Sequence, residues 1–344
     1  MRSDKRVASL SSVFALAPYI GSVKNDPEVG DGTLKPRNSI ESKVDAIYLG
    51  RPRAGSKNWH KMREKGLGGS EIAIVMGLSP YKSLFRLWHE KAGNIAPSQM
   101  DLNRARIGLG LEDVAAKIFE DETGYVCHNT GMYQSKDSEI ALAEPDRLLT
   151  DKAGNLAGVL EIKTVDPSVA WQWGREKQGK GNIPEHYMCQ VQWYLNALKL
   201  DKAFLIALIG FGDVRIYEIE KDTDFCVQMV DAGEKFIETL ENGEEPSIDD
   251  SNSTFQVVRE LSKDIDYGQK VQVDEGLANE YFAADEEKKL ADKALTGAKS
   301  RLIAALAGAE FGYIGAEKTF RLSARKNPKG GFYAPNVSPV RKAV

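Results

Sequence analysis

A chain of 344 residues that is 42% hydrophobic has ample apolar material for a large core and for one or two domains. Its net charge of −4 excludes overall basicity as a basis for nucleic-acid binding, so any such surface must be a local concentration of charge. Three widely spaced cysteines and four histidines make a zinc site unexpected, and no stretch approaches the eighteen apolar residues of a membrane span.

Residues 1–45 lack periodicity and carry Gly, Pro, Asp and Ser, so an N-terminal extension is expected, partly disordered or draped over the core. A basic cluster follows: Arg51, Arg53, Lys57, His60, Lys61, Arg63 and Lys65, with Trp59 inside it and Glu64 as the one opposing acid. That imbalance favours phosphate contact. Gly68-Gly69-Ser70-Glu71 opens a helix from Ile72 to Met76, with Ser70 as its expected N-cap. A second helix spans roughly Ser83 to Ala92.

Residues 103–123 predict a longer helix, with Ile107, Leu111, Val114, Ala115, Ile118 and Phe119 as its apolar stripe. Gly108 and Gly110 lower its helix propensity, which points to close packing or close approach beside Glu112. Short strands are expected near 125–127, 132–134 and 140–143.

The most informative stretch comes next. Ala143-Glu144-Pro145-Asp146-Arg147-Leu148-Leu149 is short and apolar. The turn residues Asp151 to Asn155 and the alternating run Gly158 to Thr164 complete a hairpin. Val159, Glu161 and Lys163 share one face of the second strand, and Leu160 and Ile162 share the other. The hairpin brings Asp146 toward Glu161 and Lys163. A lone Glu-x-Lys is ordinarily a solvated strand face. Paired with an acid at hairpin distance, it is the set that a hard divalent cation and an attacking water require.

Downstream, Asp166-Pro167-Ser168 starts a short helix carrying Trp171 and Trp173, and residues 174–183 form a charged, glycine-rich loop. Pro184 opens a helix to about Lys199, in which Gln190 falls within the inward stripe of Tyr187, Val191, Tyr194 and Leu198. A buried amide needs polar partners. Strands 203–209 and 214–219 and a helix from about 224 to 240 close this core. The acidic segment Glu238, Glu241, Glu244, Glu245, Asp249 and Asp250 marks a domain edge and is expected to be a solvated linker. One long helix over 270–309, with a seam of small apolar residues, suits a hairpin or an oligomer contact. Strands near 310–323 and a flexible basic tail, with Arg321, Arg325, Lys326, Lys329, Arg341 and Lys342, complete the chain.

Four ordered blocks carry a resemblance: Trp59-His60-Lys61-Met62-Arg63 leading to Gly69-Ser70-Glu71-Ile72-Ala73; Gly110-Leu111-Glu112; Glu144-Pro145-Asp146 through Leu160-Glu161-Ile162-Lys163-Thr164; and His186-Tyr187-Met188-Cys189-Gln190-Val191-Gln192. Together they resemble the phage-type recombination exonucleases, the lambda exonuclease and YqaJ group of the PD-(D/E)xK nucleases, over roughly residues 57–242. The resemblance implies an α/β (α+β) core of the restriction-endonuclease type, a mixed central sheet flanked by helices, with a helical C-terminal extension. The corresponding division is 1–45, 46–250 and 251–344.

It also implies roles. Asp146, Glu161 and the Ile162 carbonyl correspond to metal ligands for Mg²⁺ or Mn²⁺, with Glu112 completing the site. Lys163 and Gln190 correspond to residues that place the attacking water. Arg63 and Ser70, with Lys61 and Tyr194, fall where phosphate or DNA is held. Arg147 departs from the family's usual glycine and offers a further phosphate contact. The implied activity is 5′→3′ digestion of double-stranded DNA, exposing a 3′ strand for a single-strand annealing protein. A ring-shaped homo-oligomer, such as a trimer, is implied too, in the cytoplasm of a bacterium or a phage-infected cell. A restriction-like or structure-specific endonuclease, or a catalytically idle DNA-binding or assembly module, would carry the same motifs.

Overall fold

The computed structural model describes residues 36, 38–53, 55–64, 66–98, 102–174, 182–210, 212–326, 331 and 333–340. Most of the N-terminal extension (1–35), Lys65, the loop cations Arg175, Lys177 and Lys180, and Lys329, Arg341 and Lys342 lie outside the described residues. The chain divides into two compact units, one reaching Leu261 and one beginning at Ser262.

The first unit holds, in order, β1 (Ile47–Gly50), α1 (Lys57–Arg63), α2 (Gly69–Val75), α3 (Leu84–Lys91) and α4 (Leu102–Thr123). Then come β2 (Val126–Asn129), β3 (Met132–Gln134), β4 (Leu142–Ala143), β5 (Arg147–Thr150) and β6 (Leu156–Val165). It ends with α5 (Glu185–Leu198), β7 (Lys202–Ile209), β8 (Asp213–Glu220), α6 (Thr223–Asn242) and α7 (Asn252–Leu261). The central sheet has the order β2-β5-β6-β7-β8, and β1-β3-β4 form a small sheet beside it. Within the central sheet β6 and β7 are the parallel pair. Parallel neighbours need a crossover, and the segment carrying α5 supplies it.

Both faces of the sheet are covered. Val159, Ala203, Leu205 and Ala207 face one apolar cluster with Val191 and Leu195 of α5. Leu160, Ile162, Phe204 and Ile206 face another, with Ala115, Ala116 and Phe119 of α4. Coverage on both sides explains why β7 reads as an unbroken apolar run, Ala203 to Ile209. The result is a mixed α/β core with a central mixed sheet flanked by helices.

Several expectations are corrected here. The first unit starts before residue 46: Ile40 and Val44 are buried, and buried Glu41 takes the Arg51 guanidinium at 3.0 Å. It also runs past residue 250. In α7, Val257 packs against Phe85 and Ile95, and Thr254 Oγ1 donates to Ser83 Oγ at 2.8 Å. The acidic segment is not wholly solvated linker, because Glu245 sits 2.7 Å from Nε2 of buried His89. The stripe on α4 holds only in its C-terminal half. Ala115 and Phe119 are buried, whereas Ile107 and Val114 are exposed, because the apolar bed under α4 is confined to that half. Nor do its glycines pack closely: a Cβ on Gly108 would meet only Thr164 Oγ1 at 3.8 Å, and one on Gly110 would meet open space.

The second unit consists of α8 (Glu275–Leu306) and the three-stranded sheet β9 (Phe311–Ile314), β10 (Glu317–Ser323) and β11 (Asn336–Pro339), in the order β11-β10-β9. Residues 336–339, expected in a flexible tail, are therefore a paired strand. Among the described residues no helix is long and apolar enough to cross a membrane.

Candidate active site

The antiparallel β5–β6 pair sets the site. Arg147 opposes Leu160, so Asp146 enters one step beyond, level with Glu161. Its carboxylate Oδ2 accepts the Ile162 amide at 2.7 Å, which fixes the side chain over β6. Alternation along β6 turns Glu161 and Lys163 to the face of Val159, under α5. Gln190, on the inward side of α5, meets them there.

The contacts close a triangle. Lys163 Nζ donates to Glu161 Oε1 at 2.6 Å and to Gln190 Oε1 at 3.2 Å, and Gln190 Nε2 donates to the same Glu161 Oε1 at 2.7 Å. An ammonium on one end of the amide and a carboxylate on the other admit one orientation of Gln190. Gln190 Nε2 also donates to the Tyr194 hydroxyl at 2.9 Å. The Tyr187 ring lies 4.8 Å under the ammonium, a cation–π contact. Glu161 Oε2 is buried and has no hydrogen-bond partner among the described residues. An orphaned carboxylate oxygen of this kind costs free energy unless a ligand satisfies it.

The electrostatics agree. Burial and the charge of Asp146 push the Glu161 carboxyl up to about 8. Burial also raises Asp146. Burial and then Asp146 push Glu112 up to about 7. Burial alone would depress Lys163, but the charges of Glu161 and Asp146 outweigh it, so its value is raised and it stays an ammonium at neutral pH. Three neighbouring acids whose ionisation is disfavoured, chiefly by burial, form an oxygen-donor set short of positive charge. The set suits a hard divalent cation by its chemistry and by its orphaned oxygen. Among the described residues, no three acid, histidine or cysteine side chains already stand close enough to ligate an ion. Asp146 is turned to Ile162 N–H, and Glu112 Oε2 lies 3.4 Å from Arg147 Nη1.

The expected phosphate-binding residues are placed differently. Arg63 Nη2 is bonded to Glu71 at 2.8 Å, its guanidinium lies 4.4 Å over the Trp59 ring, and Glu144 stands 3.9 Å away. Its charge is thus already met by neighbouring acids. Ser70 is not the N-cap: Gly68 is, and Ser70 is exposed in the first turn of α2. Lys61 is exposed on α1. Tyr194 is buried and bonded to Gln190, because α2 and α5 approach closely at Gly69, where a Cβ would lie 2.7 Å from Gln190 Cγ and 2.8 Å from Tyr194 Cε1. Arg147 is buried too. It donates to Asp113 Oδ1 and to the Asp146 carbonyl, both at 2.7 Å, rather than reaching outward.

Glu71 is the residue that motif reading passed over. Its signal was present, a glutamate at the third helix position behind a glycine cap, accepting Gly68 N–H at 2.8 Å. It also takes Lys91 at 3.1 Å, so it ties α1, α2 and α3 together. Although burial alone would raise it, Arg63, Lys91 and the Gly68 amide hold it down, from 4.5 to about 2. A depressed acid adds stability above its unfolded value and loses it as pH falls through the folded one. Glu71→Gln is expected to cost about 3 kcal/mol in urea unfolding at pH 7. The gap from the parent should close between pH 4.5 and about 2; a gap unchanged across that window would refute the ion-pair account.

Residues 58–197, which contain all of these side chains, match the family of YqaJ-like viral recombinase domains. The chain carries a YqaJ-like viral recombinase domain. The uncharacterized protein YqaJ of Bacillus subtilis (strain 168) is 29% identical over 224 residues, which cover 64% of this chain and 67% of that protein. An African swine fever virus protein (strain Badajoz 1971 Vero-adapted) is 27% identical over 165 residues, 42% of this chain and 46% of its own length. Among solved structures, the alkaline exonuclease LHK-Exo of Laribacter hongkongensis superposes with a TM-score of 0.44 at 17% identity, over 60% of this chain and 99% of that one.

Proposed function

We propose that this recombinase-domain protein is a divalent-cation-dependent exonuclease that digests one strand of duplex DNA from its 5′ end and leaves a 3′ strand for an annealing partner. The observation that carries the chemistry is the Glu161–Lys163–Gln190 triangle with its orphaned Glu161 oxygen, set beside Asp146. The polarity and the annealing partner rest on the resemblance to phage recombination exonucleases, as does a ring of subunits around the duplex.

Asp146, Glu161 and the Ile162 carbonyl would hold Mg²⁺ or Mn²⁺ with Glu112 beside them, and the ion would supply Lewis-acid activation of the phosphodiester and of water. The protein's own groups do the rest. Lys163 is a fixed donor toward the oxygen on which negative charge develops. Gln190 holds Lys163 and Glu161 in register, and the Tyr187 face keeps the ammonium from swinging away. Binding through phosphates rather than base edges gives little sequence preference.

Cation binding must expel the protons that the crowded acids retain. Glu161 and Glu112 have raised values, about 8 and about 7, so their protonated forms stabilise the ion-free fold as pH falls from 8 toward 4.5. The cation stabilises the ionised form instead. The rise in Tm on adding Mg²⁺ is therefore expected to be small at pH 6 and several-fold larger at pH 8.5, measured by scanning fluorimetry. Equal shifts at both pH values would contradict it.

The function itself is tested with end-labelled linear duplex, 5′-phosphorylated or not, alongside a closed circle, with and without Mg²⁺. Mononucleotide release from the 5′ end of the linear substrate alone is the expected result. Cleavage of the circle would show an endonuclease, and no cleavage with Mg²⁺ or Mn²⁺ would show an idle module.

A further inference from the structure

The helix α8 has 32 residues, and its own unit covers only its last turns. Leu306 is buried against β9, where a Cβ on Gly312 would lie 2.9 Å from Leu306 Cδ2, and Leu302 and Ile303 are half-buried. Upstream, Leu277, Tyr281 and Leu295 are 59%, 68% and 53% exposed. A helix draws most of its stability from packing one face, and the face that these three mark is bare over most of its length.

The pattern along that face says what fits it. From Leu277 to Ala305 it steps alternately by four and three residues, the spacing of a coiled-coil seam. One series of positions holds Tyr281, Lys288, Leu295 and Leu302, and the other holds Ala284, Ala291, Ala298 and Ala305. Two copies paired in parallel and in register would set long side chains against long ones and alanine against alanine, so crowded layers would alternate with voids. An antiparallel pair sets one series against the other. With Tyr281 facing the partner's Ala298, Leu295 faces the partner's Ala284 and Lys288 faces the partner's Ala291. Each of these layers then holds one long and one short side chain.

Charge selects the same orientation. Residues 275–287 carry Glu275, Glu280, Asp285, Glu286 and Glu287 and no cation. Residues 288–306 carry Lys288, Lys289, Lys293, Lys299 and Arg301 against Asp292 alone. The helix dipole favours such signs only in the first and last turns, whereas Asp285 to Lys293 lie at mid-helix. Among the described residues, the ion pairs within α8 are those of Lys289 with Asp285 at 2.8 Å and with Glu286 at 3.6 Å. In an antiparallel pair the acidic half of each helix lies along the basic half of the other; in a parallel pair acid would lie on acid.

We infer that α8 is a self-association arm, through which two copies of this chain pair antiparallel about a two-fold axis. Such a contact is isologous and closes at two. The pairing is independent of the nuclease chemistry and of any ring formed by the first unit.

Sedimentation equilibrium of the full chain compares the parent with Leu295→Glu, a change at an exposed position of the seam. The parent should have twice the mass of the variant. Equal masses would overturn the inference and leave the seam to a different partner or to none. Orientation is read from interchain disulfides in Tyr281→Cys and Ala298→Cys, each alone and co-expressed, with the parent as control for its own cysteines. Only the co-expressed pair should cross-link, because an antiparallel partner carries the like position about 25 Å away along the helix. A disulfide in either variant alone would show a parallel pair, and none in the co-expressed pair would show no such contact; both results overturn the inference. Because both cysteine positions are exposed, this readout decides the matter even where Leu295→Glu fails to fold.

Discussion

Purified Lys163→Met should digest linear duplex DNA about a thousandfold more slowly than the parent, the scale expected when one charged donor to a developing oxyanion is removed. Asp146→Asn should be at least as slow. Asp146→Asn should keep the fold, because burial already disfavours the Asp146 charge. Lys163→Met removes a charge that Glu161 and Asp146 favour, so its fold is checked by urea unfolding beside the digestion. In Lys163→Met the methionine keeps the stem between β6 and α5. What it loses is the ammonium that bridges Glu161 Oε1 and Gln190 Oε1. Turnover should therefore fall far more than affinity for DNA, measured by single-turnover digestion beside equilibrium binding in Ca²⁺. A parent-like rate in either variant would remove these residues from the chemistry.

The largest effect on stability is expected at Gly158. Its φ of 152° lies outside the range L side chains adopt readily, and a Cβ there would sit 2.4 Å from the Lys202 carbonyl oxygen, which is main chain and cannot turn aside. Strain and overpacking together put Gly158→Ala at roughly 3–5 kcal/mol of destabilisation in urea unfolding. Gly154 is the control. It too has positive φ, 84°, but its added Cβ would meet nothing within 4 Å, so Gly154→Ala should cost only about 1 kcal/mol. Equal costs at the two sites would mean that the close approach of β6 to the first residue of β7 is not as described. Gly158 lies three residues before Glu161, so a shift there also moves the strand that carries the candidate site.

What the chain spells out on its own is local geometry. Alternation from Val159 to Lys163 puts an acid and an amine on one strand face, a turn at Asp151 returns Asp146 to that acid, and a four-residue step places Gln190 over Tyr194. Each follows from a repeat of two or 3.6 residues, which a linear sequence displays directly. Charge pairing between distant segments has no such repeat, and packing alone decides it. Arg63 reads as a free cation until α2 brings Glu71 onto it and Lys91 arrives from 28 positions beyond Arg63 to bond its carbonyl. Arg147 reads as a phosphate hand until α4 lowers Glu112 and Asp113, 35 and 34 positions earlier, against it. His89 and Glu245, 156 positions apart, meet only because the chain after α6 returns past α3 to place α7. Residue type and spacing thus nominated the candidate site groups, while the tertiary structure decided which charges are already spent, because a buried charge is governed by whatever the fold sets beside it.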